Sequence, residues 1–428
     1  MAAGSGTWAF RRLPALLALV WACCTPSFAF HTASLRRLGL QHRRVRSSRA
    51  ATQMLGGNDA FPCNIKVIGV GGGGSNAVTR MVEYGVSGVE FVVMNTDVQA
   101  LARAPSHVKT LTLGTALTGG LGAGGKPGVG QEAAEESLRD IESFVAGADM
   151  VFVTAGMGGG TGSGAAPVVA AAARRAGALT VGVVTRPFTF EGGQRRRQAV
   201  ESINNLKPNV DALITIANDK LLQILPEDVA LNEALECADD ILRQGVVGIS
   251  DIIVQPGLIN VDFSDVRTVM NDAGTALMGI GSATFRDGNR ARVAAERAVA
   301  SPLLDVAVAR AKGAVFNIVG GPDMTLAEIQ ESSQVIFDAM DDDANIIFGA
   351  LIDERLEPGS ELTVTMIATG FDADDGTSGA DFGATAPTTV GGVAGAADPG
   401  AAPLRPNTAK SDLPDFLSRM RSDRPKRR

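Results

Sequence analysis

The sequence predicts an α/β protein whose sheet is mostly parallel and covered by helices on both faces. Short runs of consecutive apolar residues recur between residues 64 and 184, and such runs are typical of strands that are buried on both sides. A stretch with helical spacing follows several of these runs, and no two-residue hairpin turn joins one run to the next. The 428 residues include 51 glycines without a Gly-X-Y period, which indicates turns and close backbone approach.

The apolar runs place strands at residues 64–70, 89–94, 150–154 and 179–184, and the clearest helices lie at 77–83 and 165–175. Each loop rich in glycine or polar residues follows the carboxyl end of a strand. That edge is where open α/β sheets bind ligands. Residues 58–226 are therefore predicted to form a Rossmann-like domain with its site at this edge.

A long helix and a smaller second α/β domain are predicted next, at residues 227–257 and 258–371, with strands of the second domain at 314–319, 345–350 and 361–368. Residues 372–411 are mostly Gly, Ala, Thr, Pro and Asp, which is the composition of a disordered linker. Residues 412–428 have a basic end and apolar anchors, so they are predicted to be a docking peptide that folds on a partner. An ordinary frayed terminus is the alternative. The predicted contact residues are Leu413, Pro414, Phe416 and Leu417.

The first 57 residues have the composition of a targeting leader. Arg11 and Arg12 precede an apolar run that is too short to span a bilayer, and Ser27 and Ala29 form a cleavage site, so residues 1–29 are predicted to be a signal peptide. Residues 30–57 contain Arg, Ser, Thr and Ala but no acid, which is typical of an organelle transit peptide. A secreted protein with a basic propeptide is the alternative. The two cysteines that remain after cleavage fit a reducing compartment better.

Charge and rare residues exclude several functions for the rest of the chain. Residues 1–57 contain eight arginines and no acid, and removing these charges from the total of -7 leaves -15 for residues 58–428. A chain this acidic is a poor general binder of nucleic acid, so no nucleic-acid partner is predicted. His107 is the one histidine after residue 57, so neither a histidine-based triad nor a His-rich metal site is predicted.

Residues 69–74 (GVGGGG) form a phosphate-binding pattern, GxGxxG, between a predicted strand and a helix. Glycines let backbone N–H groups approach phosphate oxygens, and the N-terminus of the helix favours an anion. Asp97 ends the next strand, at the distance expected for a ribose-binding acid. Taken alone, this pattern indicates an NAD(P)-dependent oxidoreductase, and a glycine turn without a ligand is the simpler alternative.

Residues 120–126 (GLGAGGK) have the spacing of a P-loop, but Pro127 stands where the magnesium-binding Ser or Thr must be. No apolar strand leads directly into this run. We therefore interpret it as one more loop at the border of the same site.

Residues 158–164 (GGGTGSG) form a second glycine loop at the start of a helix, and two such loops suit a triphosphate better than a single pyrophosphate. This run resembles the signature of the tubulin and FtsZ superfamily. The ordered motifs IKVIGVGGGGSNAV, NTDVQAL, RPFTFEG, ITIANDKLL and PGLINVDFSDVRTVM resemble FtsZ in particular. The resemblance covers residues 64–371, and DLPDFLSRM is similar to the C-terminal docking peptide of FtsZ.

The resemblance implies a GTPase that holds GTP or GDP between successive subunits of a filament, with Mg²⁺ bound through the nucleotide. Glu191 is expected at the ribose, Arg195 near the ribose and phosphates, and Asp239 at the N1 and N2 donors of guanine. Leu235 departs from the family pattern, which usually has a phenylalanine there that stacks on the base. The residues expected to hold the phosphates are Gly72, Gly73, Gly74, Ser75, Asn76, Gly160, Thr161 and Gly162.

The resemblance also assigns Asn260, Asp262 and Asp265 to a loop that enters the nucleotide site of the next subunit, where they orient the attacking water. Two simpler interpretations stay open. Asp262 and Asp265 have the spacing of a helix N-cap and its third residue, and Glu191 and Arg195 have that of an i,i+4 ion pair.

Together with the leader, the resemblance predicts a plastid-targeted algal FtsZ that polymerises on the stromal side of the inner envelope at the division site. Its expected partners are further copies of itself and an envelope protein or adaptor that binds the C-terminal peptide, with a second FtsZ left open. Two alternatives remain. An oxidoreductase leaves GGGTGSG unexplained, and a filament protein that binds GTP without hydrolysing it is disfavoured by the intact Asn260, Asp262 and Asp265.

Overall fold

A computed structural model describes residues 63–86, 88–222, 229–255, 257–304 and 308–371. The predicted leader, linker and docking peptide, including Leu413, Pro414, Phe416 and Leu417, lie outside these residues. Within the described ranges, no helix combines the length and apolar character that a membrane span requires.

The strands of the described residues form one continuous sheet in the order β3-β2-β1-β4-β5-β6-β7-β10-β8-β9. Neighbours from β3 to β7 are parallel, as are β8 and β9, whereas β10 is antiparallel to both β7 and β8. The predicted α/β fold with a mostly parallel sheet is confirmed. The strands are β1 (Ile65–Val70), β2 (Val89–Asn95), β3 (Lys109–Thr112), β4 (Met150–Gly156), β5 (Leu179–Arg186), β6 (Ala212–Ala217), β7 (Gly274–Ala283), β8 (Gly313–Gly320), β9 (Asn345–Ile352) and β10 (Leu362–Thr369).

Helices cover both faces of the sheet, and α9 is the long central helix. It begins at Leu231 and ends at Val254, within the predicted range 227–257. The α-helices are α1 (Gly71–Tyr84), α2 (Val98–Leu101), α3 (Thr115–Thr118), α4 (Pro127–Glu136), α5 (Leu138–Val145), α6 (Thr161–Arg175), α7 (Gly193–Leu206), α8 (Asn218–Leu221), α9 (Leu231–Val254), α10 (Phe263–Met270), α11 (Arg290–Val299) and α12 (Leu326–Ala339).

Side chains of alternate strand residues build two cores on opposite faces of the sheet. Ile65 and Val67 of β1 join the core beneath α1 and α9, while Ile68 and Val70 join the core beneath α4, α5 and α6. All six residues of β1 are buried, which explains why its sequence is apolar without alternation. A third core lies between α11, α12 and the strands β7, β8 and β10.

Three strands lie where the sequence predicted none: β3, β6 and β7. β3 has the four residues KTLT, which are partly exposed and give a weak strand signal. β7 contains glycines, which weaken a strand signal, but α11 packs closely against it. A β-carbon on Gly279 or Gly281 would overlap the backbone of α11. Helical packing, rather than a turn, therefore explains these two glycines.

The helices α1 and α6 begin earlier than predicted. α1 starts at Gly71, directly after β1, so the glycines expected in a loop form the first turn of the helix. α6 starts at Thr161, inside the second glycine run. Both starts fall at the carboxyl edge of the parallel strands, which places two helix N-termini side by side.

Candidate functional site

The two glycine runs pack directly against each other at the carboxyl ends of β1 and β4. A β-carbon on Gly73 would lie 3.1 Å from the Cα of Gly156, and one on Gly71 would lie 2.7 Å from the backbone nitrogen of Gly162. Side chains at these positions would force the backbones apart. The glycines therefore allow the starts of α1 and α6 to converge on one small region.

Both helix starts leave backbone N–H groups for a ligand. Neither α1 nor α6 has a side-chain cap, and neither has an acidic residue in its first turn. The first N–H groups of a helix have no acceptor within the helix, and they favour an anion. The structure thus brings together the residues predicted to hold phosphates, which are Gly72, Gly73, Gly74, Ser75 and Asn76 of α1 with Gly160, Thr161 and Gly162 at the start of α6.

Hydroxyl groups that the sequence did not reveal hold the second glycine run in place. The Oγ1 atoms of Thr96 and Thr161 are 2.6 Å apart, within hydrogen-bond distance. The backbone N–H of Gly158 donates to Ser163 Oγ at 2.8 Å. These contacts tie the run to the loop after β2 and to the first turn of α6.

Two buried polar atoms at the same edge have no hydrogen-bond partner within the described residues. They are Thr154 Oγ1, near the end of β4, and Asn218 Oδ1, directly after β6. Buried polar atoms in folded proteins almost always have a partner, so these two are suited to a polar ligand. Asn218 lies within ITIANDKLL, one of the motifs that resemble FtsZ, but the sequence alone predicts no role for it.

Residues 120–126 border this region, as the sequence suggested. A β-carbon on Gly160 would lie 2.9 Å from the β-carbon of Ala123 and 3.0 Å from the backbone nitrogen of Lys126. Pro127 is the first residue of α4, where the missing N–H costs no helical hydrogen bond. The proline that argued against a P-loop therefore starts a helix.

Asp97 has a local role. Its Oδ1 accepts hydrogen bonds from the N–H groups of Gln99, at 2.8 Å, and Ala100, at 3.3 Å. The carboxylate thereby caps α2. Helix capping therefore explains why an acid stands at this position, and no contact with a ribose is needed to explain it.

Glu191 and Arg195 form the ion pair that their spacing allowed, with Arg195 Nη1 2.6 Å from Glu191 Oε2. The other carboxylate oxygen of Glu191 accepts from the N–H of Phe188 at 2.9 Å. A β-carbon on Gly158 would lie 2.8 Å from the carbonyl oxygen of Arg195. The pair therefore lies beside the second glycine run, and the Arg195 side chain is 59% exposed.

Asp239 lies on α9 and faces α1. Arg80 Nε of α1 is 3.5 Å from Asp239 Oδ2, and Arg80 Nη2 is 3.7 Å from Glu236 Oε1. Burial raises the pKa of Asp239 from 3.8 to about 6, although the Arg80 charge lowers it in part. Leu235, one turn before Asp239, is 42% exposed. No local pattern in the sequence points to Arg80, because its partner is far away in the chain.

The raised pKa of Asp239 makes its charge costly for folding. An acid that binds its proton more tightly in the folded state weakens folding as the pH rises through both pKa values. A change from 3.8 to about 6 corresponds to about 3 kcal/mol above pH 6. A buried carboxylate kept at such a cost is typical of a functional site.

Asn260, Asp262 and Asp265 are all exposed. Asp262 occupies the N-cap position of α10, and Asp265 lies in the first turn, but the Asp262 side chain makes no capping hydrogen bond. The helix-start interpretation therefore explains where Asp262 lies and leaves its carboxylate for another role.

The structure does not bring these three residues to the glycine runs. α6 starts at the second glycine run and has 15 residues. Beyond its far end, the carbonyl oxygen of Gly177 accepts a hydrogen bond from Arg267 Nη2 of α10 at 3.1 Å, and Arg174 pairs with Asp272 just after α10. Because a helix rises about 1.5 Å per residue, α10 is about 20 Å from the glycine runs.

Two family models match the chain. Residues 64–226 match the GTPase domain of the Tubulin/FtsZ family, and residues 274–372 match the C-terminal domain of the FtsZ family. An empty FtsZ dimer from M. jannaschii is similar in structure, with a TM-score of 0.69 and 43% identity over 75% of this chain and 90% of that one. The chain belongs to the FtsZ family.

A further similar structure is CetZ2 from Haloferax volcanii, solved as a GTPγS-bound protofilament. Its TM-score is 0.61, with 24% identity over 72% of this chain and 94% of that chain, so this match shows the fold alone. The FtsZ resemblance of the sequence is confirmed, and the chain is a cytoskeletal GTPase of the tubulin/FtsZ family. None of these matches supports the oxidoreductase alternative.

We expect Gly74→Ala to lower the free energy of unfolding by about 1–3 kcal/mol, because a β-carbon there would overlap the carbonyl oxygen of Thr154. Gly72→Ala is the matched control, since its β-carbon meets nothing within 4 Å. Chemical denaturation of both variants measures the difference. Equal stability of the two variants would contradict the close packing of the glycine runs.

We expect Asp239→Asn, without nucleotide, to raise the free energy of unfolding by about 1–3 kcal/mol at pH 8, because the amide removes a buried charge. At pH 5 the gain should fall to about half, since the folded wild type is then mostly protonated at Asp239. Urea unfolding of the wild type and of Asp239→Asn at both pH values measures this gain in the free energy of unfolding. A gain that is the same at both pH values would show that the charge of Asp239 is not its cause.

Proposed function

We propose that this FtsZ-family chain hydrolyses GTP only after assembly into head-to-tail filaments, and that these filaments constrict dividing plastids. The observation that carries the proposal is the separation of about 20 Å between the glycine runs and α10. Asn260, Asp262 and Asp265 of one subunit do not reach a nucleotide held at its own glycine runs. The same residues of a second subunit, stacked head to tail, do.

The proposed nucleotide contacts follow from the arrangement of the site. The N-termini of α1 and α6 hold the phosphates, and the unpartnered oxygens of Thr154 and Asn218 supply further polar contacts. Glu191 and Arg195 contact the ribose side, beside the second glycine run. Asp239 accepts hydrogen bonds from guanine N1 and N2, and Leu235 covers the base without aromatic stacking.

The described residues contain no group of three or more His, Cys, Asp and Glu side chains that could hold a metal ion. Mg²⁺ is therefore expected to bind through the phosphates and water, and it would supply neutralisation of phosphate charge. The carboxylates of Asp262 and Asp265 and the amide of Asn260 orient a water molecule toward the γ-phosphorus. The water oxygen bonds to phosphorus as the bridging P–O bond breaks, and GDP, phosphate and a proton are released.

The head-to-tail arrangement is heterologous, so it extends as an open filament rather than closing into a dimer. The dimer of the M. jannaschii FtsZ is consistent with self-association of this family. The leader composition of residues 1–57 supports a plastid stroma location at the inner envelope. The tail from residue 412 is the proposed contact to an envelope protein or adaptor, and a second FtsZ is left open as a further subunit.

We expect Asp262→Ala to bind GTP as the wild type does but to lose most of its hydrolysis. Wild-type activity per subunit should be absent in dilute protein and rise above a critical concentration, because each site needs a neighbour. Phosphate release measured against protein concentration, for residues 58–428, tests both statements. A constant rate per subunit, unchanged by the mutation, would refute catalysis between subunits.

A mixture of two inactive variants sharpens this test. Asp239→Asn, expected to bind GTP poorly, keeps an intact Asp262, and Asp262→Ala keeps an intact nucleotide site. In a random 1:1 copolymer, about a quarter of the interfaces join an intact site to an intact loop, so about a quarter of the wild-type activity should return. No recovery, with both variants present in the filaments, would mean that each subunit catalyses alone.

We expect a fluorescent protein fused to residues 1–57 to enter plastids, whereas a fusion to residues 1–29 should be secreted, because the second part of the leader carries the plastid address. Fluorescence microscopy of algal cells with complex plastids shows where each fusion protein accumulates. Secretion of the longer fusion would favour the basic-propeptide alternative.

A further inference from the structure

Arg80 of α1 forms an ion pair with the Asp239 carboxylate of α9. Its Nε is 3.5 Å from Asp239 Oδ2, and the side chain of Arg80 is 30% exposed while that of Asp239 is 19% exposed. The nearer a charge pair lies to the protein interior, the less water screens it. The contact joins two helices that both border the proposed nucleotide site.

The helical spacing places Arg80 next to the proposed base pocket. Asn76, an exposed residue of the proposed site, is one turn before Arg80 on α1. Leu235 is one turn before Asp239 on α9. The facing turns of α1 and α9 therefore present Asn76, Leu235 and Asp239 to the base, and Arg80 is the next residue along this face of α1.

The charges that act on Asp239 come from two helices. Arg80 of α1 favours the ionised form, while Glu236 and Asp240 of α9 oppose it. Arg243 Nε lies 2.6 Å from Asp240 Oδ1. Helix α8 also packs against α9, and its Asp219 accepts a hydrogen bond from the backbone N–H of Thr189. Arg80 is thus the cation that offsets burial and two neighbouring acids at this carboxyl.

We propose that Arg80 is a positioning residue for guanine recognition, which holds the Asp239 carboxylate ionised and directed toward the base. This inference rests on the proposed GTP site. An ionised carboxylate accepts hydrogen bonds from both N1–H and N2–H of guanine, whereas a protonated carboxyl presents a donor to one of them. Leu235 does not stack on the base, so these hydrogen bonds carry a larger share of base recognition here.

A change in the charge at Arg80 alters how GTP binding depends on pH. Loss of an opposite charge at this distance raises the pKa of a carboxyl by about 1 or more. With a wild-type pKa of about 6, a rise of about 1 lowers the ionised fraction about five-fold at pH 6 and very little at pH 8. Loss of Glu236 acts in the opposite direction, because its charge raises the pKa of Asp239.

The experiment measures binding of GTP and of ITP, which lacks the N2 amino group, at pH 6 and pH 8. The proteins are wild type, Arg80→Gln, Arg80→Lys and Glu236→Gln, with Arg292→Gln as control. Arg292 pairs with Glu296 on α11, so its loss changes net charge equally without touching the site. Each affinity is divided by the wild-type value at the same pH, which cancels titration of the nucleotide phosphates.

We expect Arg80→Gln to weaken GTP binding about five-fold more at pH 6 than at pH 8, and to reduce the preference for GTP over ITP at pH 6. Arg80→Lys should restore part of the loss, Glu236→Gln should strengthen binding at pH 6, and Arg292→Gln should follow the wild type. An equal loss at both pH values would overturn the proposal, as would a shift of Glu236→Gln in the same direction as Arg80→Gln.

The Glu236→Gln and Arg80→Lys arms keep the test decisive if Arg80→Gln does not fold. Failure of the inference also differs from failure of the proposed function. If the wild type binds GTP and Asp239→Asn does not, but the Arg80 variants keep the wild-type pH profile, the inference alone fails. If the wild type binds no GTP at either pH, the proposed site fails with it.

Discussion

The close approach of two glycine backbones at the carboxyl ends of β1 and β4 is the contact on which the site depends. It allows α1 and α6 to start side by side, with Gly73 against Gly156 and Gly71 against Gly162. Since neither start has a side-chain cap, their N–H groups converge on one place. Two hydroxyl groups hold this place: Ser163 Oγ accepts from the backbone N–H of Gly158, and Thr96 Oγ1 bonds to the hydroxyl of Thr161.

Helices α6 and α9 set the distance between the site and the proposed catalytic loop. α6 leads from the second glycine run to the amino edge of the sheet, where Arg267 of α10 bonds to Gly177. α9 continues 15 residues beyond Asp239 before the loop that contains Asn260. A rigid spacing of about 20 Å gives a chemical reason for assembly, because one folded subunit keeps the two halves of the proposed active site apart.

Asp239 shows how stability and recognition are opposed at this site. Its burial makes ionisation costly, yet the proposed recognition of guanine requires the charge, and Arg80 offsets part of the cost. Asp251, farther along α9, also has a pKa raised to about 6, mainly by burial. Burial therefore raises the pKa of both carboxyls on α9. Of the two, Asp239 is the one that lies beside α1 and the proposed base pocket.

The sequence by itself determined the apolar strands, the glycine runs, the central helix and the family, because each of these is written in adjacent residues. It could not reveal β7, whose glycines are set by the packing of α11, or the reversed direction of β10, which depends on non-local pairing. It also missed Arg80, which meets Asp239 only when α1 packs on α9. Contacts between distant segments are decided by tertiary packing, since no local pattern records which surfaces will meet.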